Sequence, residues 1–213
     1  MHFQDLILYK NARILILGGG DGGLLKNILD LKNVEPKEII MVELDNLVME
    51  ACAKHMRSTC GTFLDPDKRK GINYNILTED ALKFMELKIE LQEEFDIIFG
   101  DLTDVPVETE SDIDLNSKAH SVSSTTQETW KFIKKILQLA LTLLKPETGR
   151  YYVHCNGKSV PLILQKYEEM LKSFRITKQD GQIYKVNWTQ TEKFVPSFME
   201  IWIFYQLSLN KIS

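Results

Sequence analysis

Residues Ile14-Leu15-Ile16-Leu17-Gly18-Gly19-Gly20-Asp21-Gly22-Gly23 decide the fold. A short apolar run breaks into five glycines with one aspartate among them. The run reads as a buried parallel strand, and the glycines as the turn into a helix from Leu24 to about Leu31. Gly18, Gly20 and Gly23 match the dinucleotide pattern G-x-G-x-x-G, and Glu43 follows Gly23 by 20 residues at the end of the next apolar run. That is where a ribose-binding acid is expected, so a nucleoside site is the leading idea. Asp21 refines it. A carboxylate inside the loop repels a pyrophosphate lying against the N–H groups of a helix N-terminus, so the ligand here should be neutral or cationic. A cationic nucleoside points to a sulfonium such as S-adenosylmethionine or a relative, and the same repulsion ranks an NAD-dependent enzyme last.

Outward from this turn, strands and helices alternate. Lys37 to Glu43 reads as a second strand, followed by a helix from about Asn46 to Arg57 that Asp45 is placed to cap. Ser58 to Gly71 has loop chemistry. Ile72 to Leu77 and Phe95 to Asp101 read as further strands flanking a helix that runs to about Gln92. Leu102 to Thr129 is polar and long for a connection, which suggests a lid over the site. An amphipathic helix from Trp130 to Leu144 follows, then a strand over Tyr151 to Cys155 and a helix over Val160 to Phe174. Gln182 to Trp188 and Phe198 to Gln206 read as a hairpin joined by a polar loop. The expectation is an α/β, Rossmann-like class I methyltransferase fold: a mostly parallel twisted sheet with a C-terminal antiparallel hairpin. Residues 1–12 form a short cover, 13–207 the catalytic domain with its lid-like loop 102–129, and 208–213 a tail.

With 213 residues and 44% hydrophobic content the chain suits one such domain. A net charge of -4 offers no global attraction to nucleic acid or to an anionic membrane and suits small cationic substrates. Cys52, Cys60 and Cys155 lack C-x-x-C spacing, so neither disulfides nor zinc are expected. No membrane-length apolar stretch and no signal-peptide pattern is present, so a soluble cytoplasmic protein is expected.

The topology brings Asp21, Glu43, Asp45, Glu79, Asp80, Asp101 and Asp104 to one rim, the carboxyl ends of the first four strands. Asp45 and Asp80 precede helices and suit N-caps, and Asp104 suits a turn. Asp21 interrupts a glycine turn and Asp101 ends an apolar strand, which marks both for function. Clustered carboxylates raise one another's pKa unless a cation relieves them, and a bound amine does so. The local ligand spacing of a hard-metal loop is missing, so no metal is expected. His2, His55, His120 and His154 are scattered and read as surface or packing residues, and no G-x-S-x-G elbow supports a hydrolase.

Leu17-Gly18-Gly19-Gly20-Asp21-Gly22-Gly23, Met41-Val42-Glu43-Leu44-Asp45, Glu79-Asp80 and Asp101-Leu102-Thr103-Asp104-Val105-Pro106 resemble, in order, motifs of the polyamine aminopropyltransferases. Val195-Pro196-Ser197-Phe198-Met199-Glu200-Ile201-Trp202 adds a fifth, and the likeness is strongest to animal-type spermine synthases. The resemblance implies transfer of an aminopropyl group from decarboxylated S-adenosylmethionine, a co-substrate and not a resident cofactor, to spermidine. The products are spermine and 5′-methylthioadenosine. It places Glu43 on the ribose, Asp80 on the adenine amino group, Asp21 on the aminopropyl amine, Asp101 as general base and Glu200 on the far amine of the polyamine. Asp104 joins Asp21, Asp101 and Glu200 as a substrate-side acid. The family is commonly dimeric, so a homodimer is also an expectation. Three features depart from the family pattern: little precedes the first strand, Phe198 stands where tyrosine is usual, and the loop after Pro106 is long. Two alternatives stay open: a nucleoside- or partner-binding relative without catalysis, and a small-molecule S-adenosylmethionine-dependent methyltransferase.

Overall fold

The first strand, β1 (Arg13–Gly18), is buried on both faces, and its alternate residues feed two different cores. Leu15 and Leu17 pack into one and Ile14 and Ile16 into the other, as the two-residue period of a central strand requires. β2 (Glu38–Glu43) divides the same way, Ile40 and Val42 against Ile39 and Met41. The computed structural model describes residues 6–102 and 124–212. Around these two strands the chain runs α1 (Leu6–Tyr9), α2 (Gly23–Leu29), α3 (Asn46–His55), α4 (Arg57–Cys60), β3 (Tyr74–Thr78), α5 (Ala81–Glu90) and β4 (Ile97–Asp101). After the segment outside the described residues come α6 (Ser124–Leu143), β5 (Arg150–Gly157), α7 (Pro161–Ser173), β6 (Arg175–Thr177), β7 (Ile183–Val195) and β8 (Glu200–Lys211).

These strands form one sheet of order β3-β2-β1-β4-β5-β8-β7-β6, parallel from β3 to β5 and antiparallel beyond. The order reverses between β1 and β4, and an open α/β sheet offers its binding crevice at that reversal, beyond the carboxyl ends of the strands. Residues of α2 and α3 cover one face of the sheet. Those of α5, α6 and α7 cover the other. Tyr9 of α1 is buried and stacks on Phe99, a small cover on the first face.

The hairpin differs from its expected outline. Thr189 to Val195, expected as a polar loop, continues β7 in register with β8 as far as Val195 opposite Glu200. A cross-strand partner supplies each ladder bond whatever the side-chain polarity, so solvated residues there remain strand. The link shortens to one 3-10 turn, Pro196–Phe198, closed by Met199 at φ 53°. β8 also runs to Lys211, through the residues expected as a tail. β6 and α4 were not expected, and α6 begins ahead of Trp130.

At the opposite, amino end of the parallel strands, Lys178 is buried. Its Nζ donates to Glu94 Oε1 at 3.0 Å, to the Thr142 carbonyl at 2.7 Å and to the Leu144 carbonyl, closing the C-terminal end of α6. Among the described residues no helix is long and apolar enough to cross a membrane.

Candidate active site

Gly18 and Asp101 are register partners at the ends of β1 and β4, so the glycine turn and the fourth-strand acid meet at the sheet's reversal point. Gly18 has φ +81°, and a Cβ there would lie 2.0 Å from the Asp101 carbonyl oxygen. Only glycine meets both conditions. Gly19 N–H donates to that carbonyl at 3.2 Å. A Cβ on Gly20 would lie 2.8 Å from Oε2 of Glu43, so glycine lets the β2 acid close over the loop. The other oxygen, Oε1, accepts the Asp45 N–H at 2.9 Å, and Asp45 Oδ1 caps α3 by accepting the Leu47 N–H at 2.8 Å.

A cleft of about 370 Å³ opens beside these groups, lined by Gly18, Glu43, Asp80, Asp101, Phe132 and Ile136 among others. Asp80 Oδ1 accepts the Leu82 N–H at 2.8 Å, so it caps α5 while facing the cleft. A second cleft of about 410 Å³ lies on the α2 side of the sheet, with Asp101, Tyr152, His154, Thr191, Phe204 and Gln206 in its wall. Asp101 borders both, and its side chain is about half exposed at 49%.

The remaining expected residues stand apart from the first cleft. Asp21 is exposed, and its Oδ1 accepts the Gly23 N–H at 2.8 Å, satisfying one free donor at the start of α2. Burial and then the charge of Asp21 raise the Cys52 thiol, with smaller contributions from Cys60 and Glu43. Glu200 begins β8 at the same rim. Its Oε1 accepts the Ser159 N–H at 2.8 Å, and hydrogen bonding from Ser159 holds its pKa below the usual glutamate value. A Cβ on Gly157 would lie 2.2 Å from Glu200 Oε2, so the end of β5 is glycine where that carboxylate crosses it. Asp104 and most of the lid-like loop lie outside the described residues.

Sequence pattern missed the second cleft. His154, read there as a surface or packing residue, places Nε2 3.9 Å from Asp101 Oδ1. Its ring tilts against Trp202 at 5.7 Å, and Trp202 stacks on Phe198 at 4.3 Å. A polar residue inside the aromatic strand Tyr151 to Cys155 was the one available signal. Tyr152, Phe204 and Gln206 gave none, because their meeting depends on β8 docking antiparallel to β5.

The profile of the spermine/spermidine synthase domain matches residues 1–147. The polyamine aminopropyltransferase of Pectobacterium atrosepticum is 36% identical over 101 residues, covering 46% of this chain and 31% of that protein. The one from Korarchaeum cryptofilum is 26% identical over 205 residues, covering 96% of this chain and 51% of its own length. The chain therefore spans about a third to a half of these relatives. Among solved structures, a spermidine synthase in complex with the transition state analogue AdoDATO superposes with a TM-score of 0.56 at 22% identity, over 98% of this chain and 58% of that one. The spermidine synthase from Thermotoga maritima gives 0.53 at 20% identity, over 98% and 56%. Both likenesses support the fold.

Proposed function

This chain belongs to the spermine/spermidine synthase family, and from that premise we propose that it transfers an aminopropyl group from decarboxylated S-adenosylmethionine to a polyamine, spermidine above putrescine. The observation that carries the reading is Asp101, one carboxylate in the walls of both clefts. The first cleft takes the nucleoside, with Glu43 on the ribose hydroxyls and Asp80 on the adenine amino group. Its Phe132 and Ile136 supply apolar wall for the base. The second takes the acceptor.

The acceptor amine arrives as an ammonium and must lose a proton before its lone pair can attack. Asp101 accepts that proton as general base. The nitrogen then bonds to the aminopropyl carbon attached to sulfur, that carbon–sulfur bond breaks, and its electron pair neutralises the sulfonium, leaving methylthioadenosine. Holding two flexible cations in line supplies much of the acceleration. Asp21 binds the donor's primary ammonium with the oxygen not engaged by Gly23. It disfavours ordinary S-adenosylmethionine, whose carboxylate it repels.

What supports spermidine as the acceptor is the likeness of Asp101-Leu102-Thr103-Asp104-Val105-Pro106 and Val195-Pro196-Ser197-Phe198-Met199-Glu200-Ile201-Trp202 to the motifs of spermine synthases.

Incubation of the purified chain with decarboxylated S-adenosylmethionine and either amine, with methylthioadenosine quantified, tests the reading. Spermidine should be the better acceptor, and Asp101→Asn should lower turnover roughly 10²- to 10⁴-fold with methylthioadenosine affinity nearly unchanged. Near-normal turnover in that variant removes Asp101 from the mechanism. Tighter binding of S-adenosylmethionine than of its decarboxylated form would favour a methyltransferase.

A further inference from the structure

The two edges of the sheet are finished differently. At one edge the loop before β3 covers it: Lys70 bridges Asn75 antiparallel, and the Ile76 N–H donates to the Arg69 carbonyl at 2.8 Å. At the other edge β6 pairs only with Ile183 to Lys185 of β7. Beyond it β7 runs on from Val186 to Val195 with β8 on one side and, among the described residues, no strand on the other. Alternate residues of an antiparallel strand turn both N–H and C=O to the same side, so about five residues here present an unpaired ladder. An open edge of that length is a template for another strand, and no proline interrupts it before Pro196.

We propose that this edge is the contact surface for a second copy of the chain, the two β7 strands pairing antiparallel about a two-fold axis at Thr191. The proposal stands apart from the transfer chemistry. With the axis normal to the sheet, the α7 side of one copy continues as the α7 side of the other, so only residues of the same face meet. Residues 183–185 are taken by β6, which confines the pairing to 186–195.

Charge narrows the register. An axis at Glu192 or at Lys193 sets that residue against its own copy, and an axis at Thr189 sets Lys193 against Lys185. Like charges directly opposite are destabilising. An axis at Gln190 leaves Glu192 opposite Trp188. At Thr191 no like charges stand directly opposite: Gln190 faces Glu192, Thr189 faces Lys193, and Trp188 faces Phe194 twice by symmetry. Aromatic pairs of this kind are the favourable unit of strand pairing. Trp188 already packs against the core that holds Tyr184 and Val186, whereas Phe194 is 58% exposed and its cross-strand neighbour Ile201 is 39% exposed. The pairing therefore covers apolar surface that a single copy leaves in water. On the other face Thr191 stands in the wall of the second cleft, so the second clefts of the two copies flank the axis.

Two paired strands make a narrow contact, so association should be weak and concentration-dependent. Sedimentation velocity from about 1 to about 300 µM covers that class of interface, and the average mass should climb from one chain toward two. Thr191 is exposed, so a change there spares the core. Thr191→Lys puts two cations on the axis and Thr191→Glu two anions, and each alone should raise the dimer Kd at least about tenfold. An equimolar mixture of the two variants should regain association, because the axis then carries opposite charges. Cross-linking reads the register itself. In a Cys52→Ser background, Gln190→Cys mixed with Glu192→Cys should form a disulfide-linked pair under oxidised glutathione, and Gln190→Cys alone should not. A mass that stays at one chain to the highest concentration overturns the proposal. So does undiminished association of Thr191→Lys, or a charge-swapped mixture that fails to recover. Equal cross-linking by Gln190→Cys alone overturns the axis at Thr191.

Discussion

Gly20→Ala isolates the contact that joins the glycine turn to Glu43. Gly20 does not need a positive φ, so alanine suits its backbone and the effect is one of space. The new Cβ would stand 2.8 Å from Glu43 Oε2, 3.0 Å from Glu43 Cδ and 3.0 Å from Val48 Cγ1. Ordinary carbon contacts begin near 3.5 Å, so the carboxylate must retreat by about half an ångström. That retreat also disturbs the bond from Asp45 N–H to Oε1. If Glu43 accepts from the ribose hydroxyls, loss of one such charge-assisted bond costs roughly 1.5–3 kcal/mol, or about 10- to 150-fold in affinity. Calorimetry with methylthioadenosine reads this directly. Thermal melting should show a smaller change, because the clash falls mainly on the end of a flexible side chain. Combining Gly20→Ala with Glu43→Gln sharpens the result: both act on one carboxylate, so the double variant should lose much less than the sum of the singles. Normal binding by Gly20→Ala, or strict additivity in the cycle, would refute the coupling between turn and acid.

Asp21→Asn keeps an oxygen for the Gly23 N–H and removes the charge, so melting should change little. Affinity for decarboxylated S-adenosylmethionine should fall by roughly 1.5–3 kcal/mol, with methylthioadenosine indifferent; equal losses for the two ligands would reduce Asp21 to a capping residue. Lys178→Met should destabilise the fold by roughly 1.5–3 kcal/mol in urea denaturation, because Glu94 and the α6 carbonyls lose a charged donor, and it should leave methylthioadenosine affinity unchanged. Burial, aided by Glu168, pushes the Cys155 thiol up to about 12, so iodoacetamide at pH 8 should label it only after unfolding. The unfolded chain releases that proton near pH 9 and the folded chain holds it. Stability should therefore decline as pH rises from 9 toward 12, with a shallower slope in Cys155→Ala.

The residues of the first cleft were legible in the sequence for a topological reason. Gly18, Glu43, Asp80 and Asp101 each end a parallel strand or stand just past it, and parallel strands with covered faces put those ends on one rim whatever the details of packing. The alternation of Ile and Leu in β1 and the acid inside a glycine turn are local properties, readable without neighbours. Asp45 and Asp80 as helix caps are local as well.

Only the tertiary structure decided the second cleft and the partner of Asp101. His154 lies 53 positions after Asp101 and meets it because β5 lies beside β4, while Trp202, Phe204 and Gln206 arrive on β8 from the other direction. The extent of the hairpin was hidden for a related reason: ladder bonds to β8 keep Thr189 to Val195 in strand conformation although Thr189 to Lys193 are polar and solvated. Local sequence records what a residue prefers, and strand order and register settle which distant residue it faces.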